Sequence, residues 1–368
     1  MTGRPLRIGI VAPYDLSEPG GVNNQIRGQA RALRHLGHDV GVYGPASSRL
    51  GGGEQSLGGS VSVTLGGTKS GLGVDPRSPA AVRRMFQENF DVVHVHEPLT
   101  PLVPLIAVWK ARCPLVGTFH VHRENGHRLY GLGAWALAPL VGKLGARLVV
   151  SEAARRTVAR HFPGEYEIVP NGIEADRFRA PRLRPAAMAR PRPYVLFVGR
   201  LEARKGLDHL IRAMPQVQHR VADVTLVVVG DGPDRERLMA LASQAGATVQ
   251  FLGRIPDEDL PAYFQAADVV CAPALGGESF GIVLLEAMAC AKPLVASRIE
   301  GYAALVGGAK CARLVAPGNA DGLSNELVWL LESEDRRRSL GEHGAAFVRD
   351  YDWSTIARRL ETVYRRLC

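Results

Sequence analysis

Short apolar runs alternate with amphipathic segments along this chain, and the alternation restricts its fold more than any other feature. Such runs of Val, Ile and Leu are typical of parallel strands whose two faces are both covered by helices. The alternation occurs once in the first half and starts again after residue 190. The predicted strands are Ile8–Val11, Val40–Tyr43, Val92–Val95, Leu115–Thr118 and Leu148–Ser151 in the first series, and Tyr194–Val198, Thr225–Val229, Val249–Leu252, Val269–Ala272 and Leu294–Ala296 in the second. Two series predict two doubly wound α/β domains.

The length and the loop composition fit this division. At roughly 100–200 residues per domain, 368 residues accommodate two domains. Arg179–Pro193 contains four Pro and five Arg without periodicity, which is typical of a linker. We therefore expect domains at residues 1–175 and 176–350. Ser47–Pro79 is rich in Gly and Ser, and part of it is expected to form a mobile loop or hairpin of the first domain.

Composition excludes several classes of protein. Hydrophobic residues make up 46% and charged residues 22%, as in globular proteins, and the five cysteines include no Cys-x-x-Cys pair. The longest uncharged apolar stretch, Leu129–Gly142, is shorter than the roughly 20 residues of a membrane span. The net charge of +9 is compatible with phosphorylated ligands, polyanions or an acidic membrane surface. We expect a cytoplasmic protein without a signal peptide, since a predicted strand begins near Leu6.

Two His-x-His pairs, His94/His96 and His120/His122, lie at the ends of predicted strands. A spacing of two residues places both rings on one face, as in some metal hydrolases. The alternative is that they are polar groups at the carboxyl ends of parallel strands, where ligand sites of α/β proteins lie in any case.

Four motifs at predicted strand–helix junctions carry the strongest functional signal. The loop between the first strand and first helix contains Gly20-Gly21, where backbone amides can approach a ligand. Gly199–Gly206 carries Arg200, Arg204 and Lys205, which could bind a diphosphate. Gly276–Ala289 contains two carboxylates eight residues apart, and His120 ends a strand of the first series. Each motif also has a purely structural interpretation, as a solvated turn or a surface helix.

In combination, these motifs resemble those of retaining GT-B glycosyltransferases of family 4. The resemblance rests, in chain order, on Gly20-Gly21, Pro170-Asn171-Gly172-Ile173, the Arg-x4-Lys-Gly motif that begins at Arg200, and the pair Glu278 and Glu286. It covers nearly the whole chain, and within the family the motifs are most similar to those of phosphatidylinositol mannosyltransferases. The implied fold is two Rossmann-like doubly wound parallel-sheet domains that face a deep cleft. Residues 351–368 would cross back to the first domain.

The resemblance also implies roles for individual residues. Arg200 and Lys205 would neutralise the diphosphate of a sugar nucleotide, most simply GDP-mannose, while His120 and Glu278 would contact the sugar. These four are the expected catalytic residues. The expected donor-binding residues are Gly20, Gly21, Phe280, Gly281, Ile282 and Glu286, and the expected acceptor-binding residues are Tyr14, Asn23 and Arg123. No metal or other cofactor is implied, because the leaving diphosphate itself would help to deprotonate the acceptor hydroxyl.

The acceptor implied by the resemblance is a phosphatidylinositol-type lipid at the inner face of the membrane. The chain departs from those enzymes at Leu99 and Val121, where they carry Asn and Thr. Arg83 and Arg84 would provide a weak electrostatic anchor to an anionic surface. The sequence leaves open a UDP-sugar donor with a small soluble acceptor, a sugar-nucleotide epimerase or hydrolase, and a His-ligated metal hydrolase. Nucleic acid is not an expected partner.

Overall fold

The computed structural model describes residues 4–18, 20–65, 68–73, 75–121, 128–190, 193–307 and 310–368, and the chain divides into two units. The first unit extends to Gly172 and includes Trp353–Cys368, and the second comprises Ile173–Asp352. Each unit contains its own parallel sheet with helices on both faces. The predicted class of fold, two doubly wound α/β domains, is confirmed.

The sheet of the first unit is parallel throughout its described strands. Its strands and the nearby hairpin are β1 (Arg7–Val11), β2 (Asp39–Gly44), β3 (Glu54–Ser56), β4 (Ser60–Leu65), β5 (Thr68–Gly73), β6 (Val92–His96), β7 (Leu115–Phe119), β8 (Ala146–Val149) and β9 (Glu167–Ile168). The strand order is β3-β2-β1-β6-β7-β8-β9, and β4 and β5 form a separate antiparallel hairpin. The hairpin lies within the segment for which a loop or hairpin was predicted.

Helices cover both faces of this sheet because successive strand residues point to opposite sides. The helices are α1 (Gly21–His35), α2 (Ser78–Met85), α3 (Val103–Lys110), α4 (Arg128–Gly142), α5 (Glu152–Ala159) and, from the end of the chain, α14 (Trp353–Leu367). Ile8 and Ile10 share one core with α1 and α14. Val93 and Val95 share the other core with α2 to α5.

The second unit repeats this plan. Its elements are α6 (Ala175–Arg179), β10 (Tyr194–Val198), α7 (Leu207–Arg220), β11 (Thr225–Val229), α8 (Arg235–Gln244), β12 (Val249–Gly253), α9 (Leu260–Ala266), β13 (Val269–Ala272), α10 (Ile282–Ala289), β14 (Leu294–Ser297), α11 (Glu300–Val306), β15 (Ala312–Val315), α12 (Ala320–Leu331) and α13 (Glu334–Phe347). The strands are parallel in the order β12-β11-β10-β13-β14-β15. This is the order of a dinucleotide-binding doubly wound sheet.

The boundary between the units differs from the predicted linker. The chain changes units at residues 172/173 and 352/353, close to but not at the predicted limits 175/176 and 350/351. Arg179–Pro193 lies inside the second unit, where Met188 is fully buried and the Arg184 side chain donates to the carbonyl of Met188. The linker interpretation was therefore wrong, because Pro and Arg mark an irregular backbone, which can still be packed.

Within the described residues, no helix is both long and apolar enough to cross a membrane.

Candidate active site

In the second unit, the chain leaves two neighbouring strands, β10 and β13, toward opposite faces of the sheet. The helix after β10, α7, packs into one core, and the helix after β13, α10, packs into the other. Doubly wound sheets bind ligands at the carboxyl ends of their strands where the chain reverses in this way. The loops 199–206 and 273–281 follow these two strands and form the candidate site of this unit.

Backbone contacts hold the two loops together. Gly206 has φ +66°, and a Cβ atom there would lie 2.0 Å from the carbonyl oxygen of Pro273. Only glycine allows this approach without displacement of the backbone. The amide of Leu275 also donates to the carbonyl of Arg204 at 2.8 Å. The predicted cations of the first loop and Glu278 of the second therefore meet.

Three cations and two carboxylates form one cluster at this point. Lys205 Nζ lies 2.8 Å from Glu278 Oε1, and the Arg204 guanidinium also pairs with that oxygen. On its other side, Arg204 Nε donates to Glu202 Oε2 at 3.0 Å. Arg200 Nε lies 2.6 Å from Glu202 Oε1. The cluster carries one net positive charge, which suits the binding of an anion.

Arg204 was predicted, with Arg200 and Lys205, as a cation that could bind a diphosphate, but Glu202 was not among the predicted site residues. Glu202 lies within the quoted Arg-x4-Lys motif, and an acidic residue between closely spaced cations was the signal that could have identified it. Burial alone would lower the pKa of Arg204, but the charges of Glu278 and Glu202 outweigh it and raise that pKa. Arg204 is thus held as a cation between two carboxylates.

The N-terminus of α10 borders the cluster. Gly281 precedes the helix with φ +96°, and a Cβ there would lie 2.7 Å from a ring carbon of Tyr302. Ile282 is the first helical residue, so its amide is free of the intrahelical ladder. The Phe280 ring is buried in the core near Tyr351, with ring centroids 6.0 Å apart. Its side chain is structural, and only its backbone could serve a ligand.

Glu286 lies in the fifth position of α10 and is partly exposed. Desolvation by the surrounding protein raises the pKa of its carboxyl to about 7, the charge of Arg177 opposes this rise, and Asp257 adds to it. None of the described residues donates a hydrogen bond to the Glu286 carboxylate. A ligand hydroxyl could therefore satisfy it.

The first unit has a corresponding reversal between β1 and β6. The loop after β1 contains Tyr14, whose backbone bridges to Leu72 of β5, and ends at Gly20 and Gly21, the cap and first residue of α1. A Cβ atom at Gly20 would meet no described atom within 4 Å. Asn23 donates to the carbonyls of Asp15 and Glu18, while its buried Oδ1 has no partner among the described residues.

Asp15 anchors this loop, a role that sequence reasoning missed. Its carboxylate is fully buried and accepts hydrogen bonds from the amide of Ser17 at 2.8 Å, the amide of Ser47 at 2.9 Å and the hydroxyl of Ser60. Burial by itself raises the pKa of Asp15, but these hydrogen bonds outweigh it and keep the pKa below its usual value. The loop after β1 is thereby attached to the hairpin.

Three histidines form a stacked column at the ends of β6 and β7. The rings of His94 and His96 are 4.5 Å apart, and those of His96 and His120 are 5.1 Å apart. His96 Nδ1 and His120 Nε2 share a hydrogen bond of 2.8 Å, and His94 bonds to the hydroxyls of Thr118 and Tyr364.

Burial determines the charge of this column. Desolvation lowers the pKa of His94 to about 3 and that of His120 to about 4, and it also lowers the pKa of His96. His120 is therefore neutral at pH 7. Its position is set by Glu97, which accepts hydrogen bonds from the amides of His120 and Val121 at 2.5 and 2.8 Å.

The rings of the column stack face to face rather than converge on one point. Among the described residues, no group of three or more His, Cys, Asp or Glu is placed to hold a metal ion. His122 and Arg123, predicted as a possible ligand and an acceptor contact, lie outside the described residues.

Comparisons with protein-family models match both units. Residues 19–177 match the model described as Glycosyltransferase Family 4, and residues 184–347 match Glycosyl transferases group 1.

Several curated proteins are similar over nearly the whole chain. The phosphatidyl-myo-inositol mannosyltransferase of Mycolicibacterium smegmatis is 35% identical, with 98% of this chain and 93% of that protein covered. The corresponding protein of Mycobacterium leprae is 36% identical over 98% of this chain and 96% of its own. A GDP-mannose-dependent alpha-(1-6)-phosphatidylinositol monomannoside mannosyltransferase of Mycolicibacterium smegmatis is 35% identical over 72% of each chain.

Solved structures share the fold at lower identity. HepE of Anabaena in complex with UDP superposes with a TM-score of 0.79 at 20% identity, covering 98% of this chain and 100% of that one. A glycosyltransferase of Rickettsia africae superposes with a TM-score of 0.77 at 17% identity, covering 99% of each.

Proposed function

This chain belongs to the family 4 glycosyltransferases, and we propose that it transfers a mannosyl residue from GDP-mannose to a hydroxyl of a phosphatidylinositol-type lipid. Its curated relatives bear the names of such enzymes at 35–36% identity over 98% of the chain. The observation that carries the proposal is the cluster of Arg200, Arg204, Lys205 and Glu278 at the switch point of the second sheet.

In this proposal the cations bind the diphosphate of the donor. Arg200 and Lys205 neutralise the charge that grows on the leaving diphosphate in the transition state. The free amides at the start of α10, at Gly281 and Ile282, add hydrogen bonds to the same phosphates. Lys205 leaves Glu278 for the diphosphate, and the carboxylate of Glu278 then accepts hydrogen bonds from sugar hydroxyls.

Glu286 accepts hydrogen bonds from the ribose hydroxyls. A hydroxyl donor compensates for the desolvation that raises the pKa of this carboxyl to about 7. In the first unit, the exposed Gly20 and Gly21 offer their backbone to the donor, and neutral His120 makes a hydrogen bond to the sugar.

We further propose that transfer retains the anomeric configuration and requires no bound metal. The leaving diphosphate oxygen takes the proton from the acceptor hydroxyl as the new glycosidic bond forms and the sugar–phosphate bond breaks. The positive cluster then replaces a divalent cation in stabilising the diphosphate.

The acceptor is proposed to bind at the loop after β1, at Tyr14 and Asn23, with the protein at the inner face of the membrane. The buried Oδ1 of Asn23, which has no hydrogen-bond partner among the described residues, suits an inositol hydroxyl. Trp109 of α3 and Trp135 of α4 are 62% and 84% exposed, and Arg83 and Arg84 of α2 are exposed. Indole rings prefer the membrane interface, and arginines attract anionic lipid.

The test is a transfer assay with phosphatidylinositol vesicles and GDP-mannose, UDP-glucose and ADP-glucose as separate donors. We expect product from GDP-mannose alone, with unchanged rate in EDTA and an α-linkage by NMR. Lys205→Ala should abolish measurable GDP binding in calorimetry, whereas Arg220→Ala, at the exposed far end of α7, should not change it. Transfer from UDP-glucose, or unaltered GDP binding by Lys205→Ala, would contradict the proposal.

A further inference from the structure

Glu202 is the least exposed side chain of the charged cluster in the second unit. Its carboxylate is 7% exposed and contacts two cations, Arg204 Nε through Oε2 at 3.0 Å and Arg200 Nε through Oε1 at 2.6 Å. The contact to Arg200 is ionic without an aligned hydrogen bond. One buried carboxylate thus connects the two guanidinium groups.

The loop that carries Glu202 is held independently of this carboxylate. Leu201 is fully buried, its amide donates to the carbonyl of Asp231, and its carbonyl accepts from the amide of Asp234. The backbone of Glu202 also accepts from the amide of Lys205 at 2.9 Å. Loss of the Glu202 charge should therefore leave the loop in place.

The guanidinium groups do not need Glu202 for their charge. The side chains of Arg200 and Arg204 are 46% and 33% exposed, so water can solvate both cations. Without Glu202, Arg200 would lose its ion pair and Arg204 would keep only its pair with Glu278, so both long side chains would gain rotamer freedom. The carboxylate determines where the two cations point, rather than whether they are charged.

The same carboxylate lowers the positive charge that the site offers to a ligand. Three cations and two carboxylates leave one net positive charge, while a nucleoside diphosphate carries about two to three negative charges. Glu202 is 7% exposed and, among the described residues, forms ion pairs with Arg200 and Arg204. Its negative charge therefore opposes the binding of any anion.

We propose that Glu202 is a positioning residue for glycosyl transfer, which orients Arg200 and Arg204 toward the leaving diphosphate at a cost in affinity for the nucleotide. The proposal rests on the function proposed above. The Glu202 charge should weaken GDP binding, because it lowers the net charge of the site, and should raise kcat, because it orients the arginines. A purely structural role would not give these two opposite effects. Removing the charge should tighten ground-state binding of GDP and slow the transfer step.

The experiment measures GDP binding by calorimetry and kcat and KM for transfer in wild type and three variants. Glu202→Gln keeps the shape and removes the charge. Glu202→Asp keeps the charge and shortens the reach. Glu326→Gln is the control, since Glu326 forms an ion pair through two hydrogen bonds with Arg313 of the outer strand β15, away from the charged cluster.

Glu202→Gln should lower the GDP dissociation constant about two- to fivefold, with a steeper salt dependence. It should lower kcat by about tenfold or more. Glu202→Asp should return GDP affinity to that of the wild type and recover part of kcat, and Glu326→Gln should change neither constant.

The inference is overturned if Glu202→Gln leaves kcat unchanged, or weakens GDP binding in parallel with kcat and thermal stability. In either case a wild type that binds GDP and transfers mannose leaves the proposed function intact. If the wild type binds no nucleoside diphosphate, the proposed function fails and this inference fails with it.

Discussion

The charged residues of the second unit differ in how burial acts on them. Glu202 is buried and Glu278 is partly buried, and both are paired with cations, whereas Glu286 is desolvated without a partner among the described residues. An unpaired carboxylate in this position is destabilising in the ionised form. The chain retains it where ribose hydroxyls are proposed to bind, which is consistent with a site optimised for ligand binding.

The unpaired state of Glu286 predicts a pH dependence of stability. Its folded-state pKa of about 7 lies above the ordinary value of 4.5, so the folded protein binds more protons than the unfolded chain between these values. The free energy of unfolding should therefore fall as pH rises from about 4.5 to 7. Full burial would give about 1.4 kcal/mol per pKa unit, and we expect about 1 to 2 kcal/mol in total, because the carboxyl is partly exposed.

In Glu286→Gln, the free energy of unfolding should not show this fall between pH 4.5 and 7. Urea unfolding at pH 5 and pH 8 measures it: the variant should gain about 1 to 2 kcal/mol relative to wild type at the higher pH. A constant difference between the two proteins across this range would show that Glu286 is not desolvated in the folded state.

At the scale of elements, the hairpin β4–β5 depends on a residue outside it. Asp15 lies in the loop after β1, and its partners Ser47 and Ser60 are 32 and 45 residues further along the chain. The hairpin pairs with the same loop through the amide of Asp15, which donates to the carbonyl of Gly71 at 2.9 Å. A two-stranded hairpin alone is marginally stable, so this anchor decides its position.

Asp15→Ala should detach the hairpin from the first sheet. Removing a buried acceptor of several hydrogen bonds leaves their donors unsatisfied, and we expect a loss of about 3 kcal/mol of stability. Hydrogen exchange in β4 and β5 should accelerate more than exchange in β1. Asp39→Ala is the control, since Asp39 is 70% exposed and, among the described residues, forms an ion pair only with Arg7. Equal effects of the two substitutions would contradict the anchor.

At the scale of the whole molecule, the chain divides into two compact units, each with its own cores, and it passes between them twice. The last helix, α14, completes the first unit. Trp353 lies against Gly28 and Gly172, where a Cβ atom would come within 2.4 Å of its ring, and Ile356 and Leu360 are buried in the core beneath α1. The first unit is therefore incomplete without the end of the chain.

Removal of residues 353–368 should unfold the first unit and leave the second folded. Calorimetry should show the loss of one transition, and GDP should still bind, because the charged cluster lies wholly in residues 173–352. A chain that lacks only Cys368, which is exposed, should behave as wild type. Loss of GDP binding together with the first unit would contradict this separation.

Much of the architecture could be predicted because it depends on local patterns. Buried parallel strands have continuous apolar sequences, so the ten predicted strands are present, with ends that differ by a residue or two. The strands β3, β9 and β15 were missed. Glu54–Ser56 and Glu167–Ile168 are too short and polar to give a pattern, and Arg313 interrupts the apolar residues of Ala312–Val315. The sequence also predicted the loops that carry Arg200, Lys205 and Glu278, because glycines and cations between a strand and a helix are a local signal.

By itself, then, the sequence determined the two series of strands, the family and the loops that carry the cations and Glu278 of the charged cluster. Only the tertiary structure decided which carboxylate pairs with which cation, as with Arg204 and Glu278, 74 residues apart. It also decided that Asp15 anchors the hairpin, that the histidines are neutral and that Arg179–Pro193 belongs to the second unit. The physical reason is that ion pairing, desolvation and packing depend on neighbours in space, which a pattern along the chain does not specify.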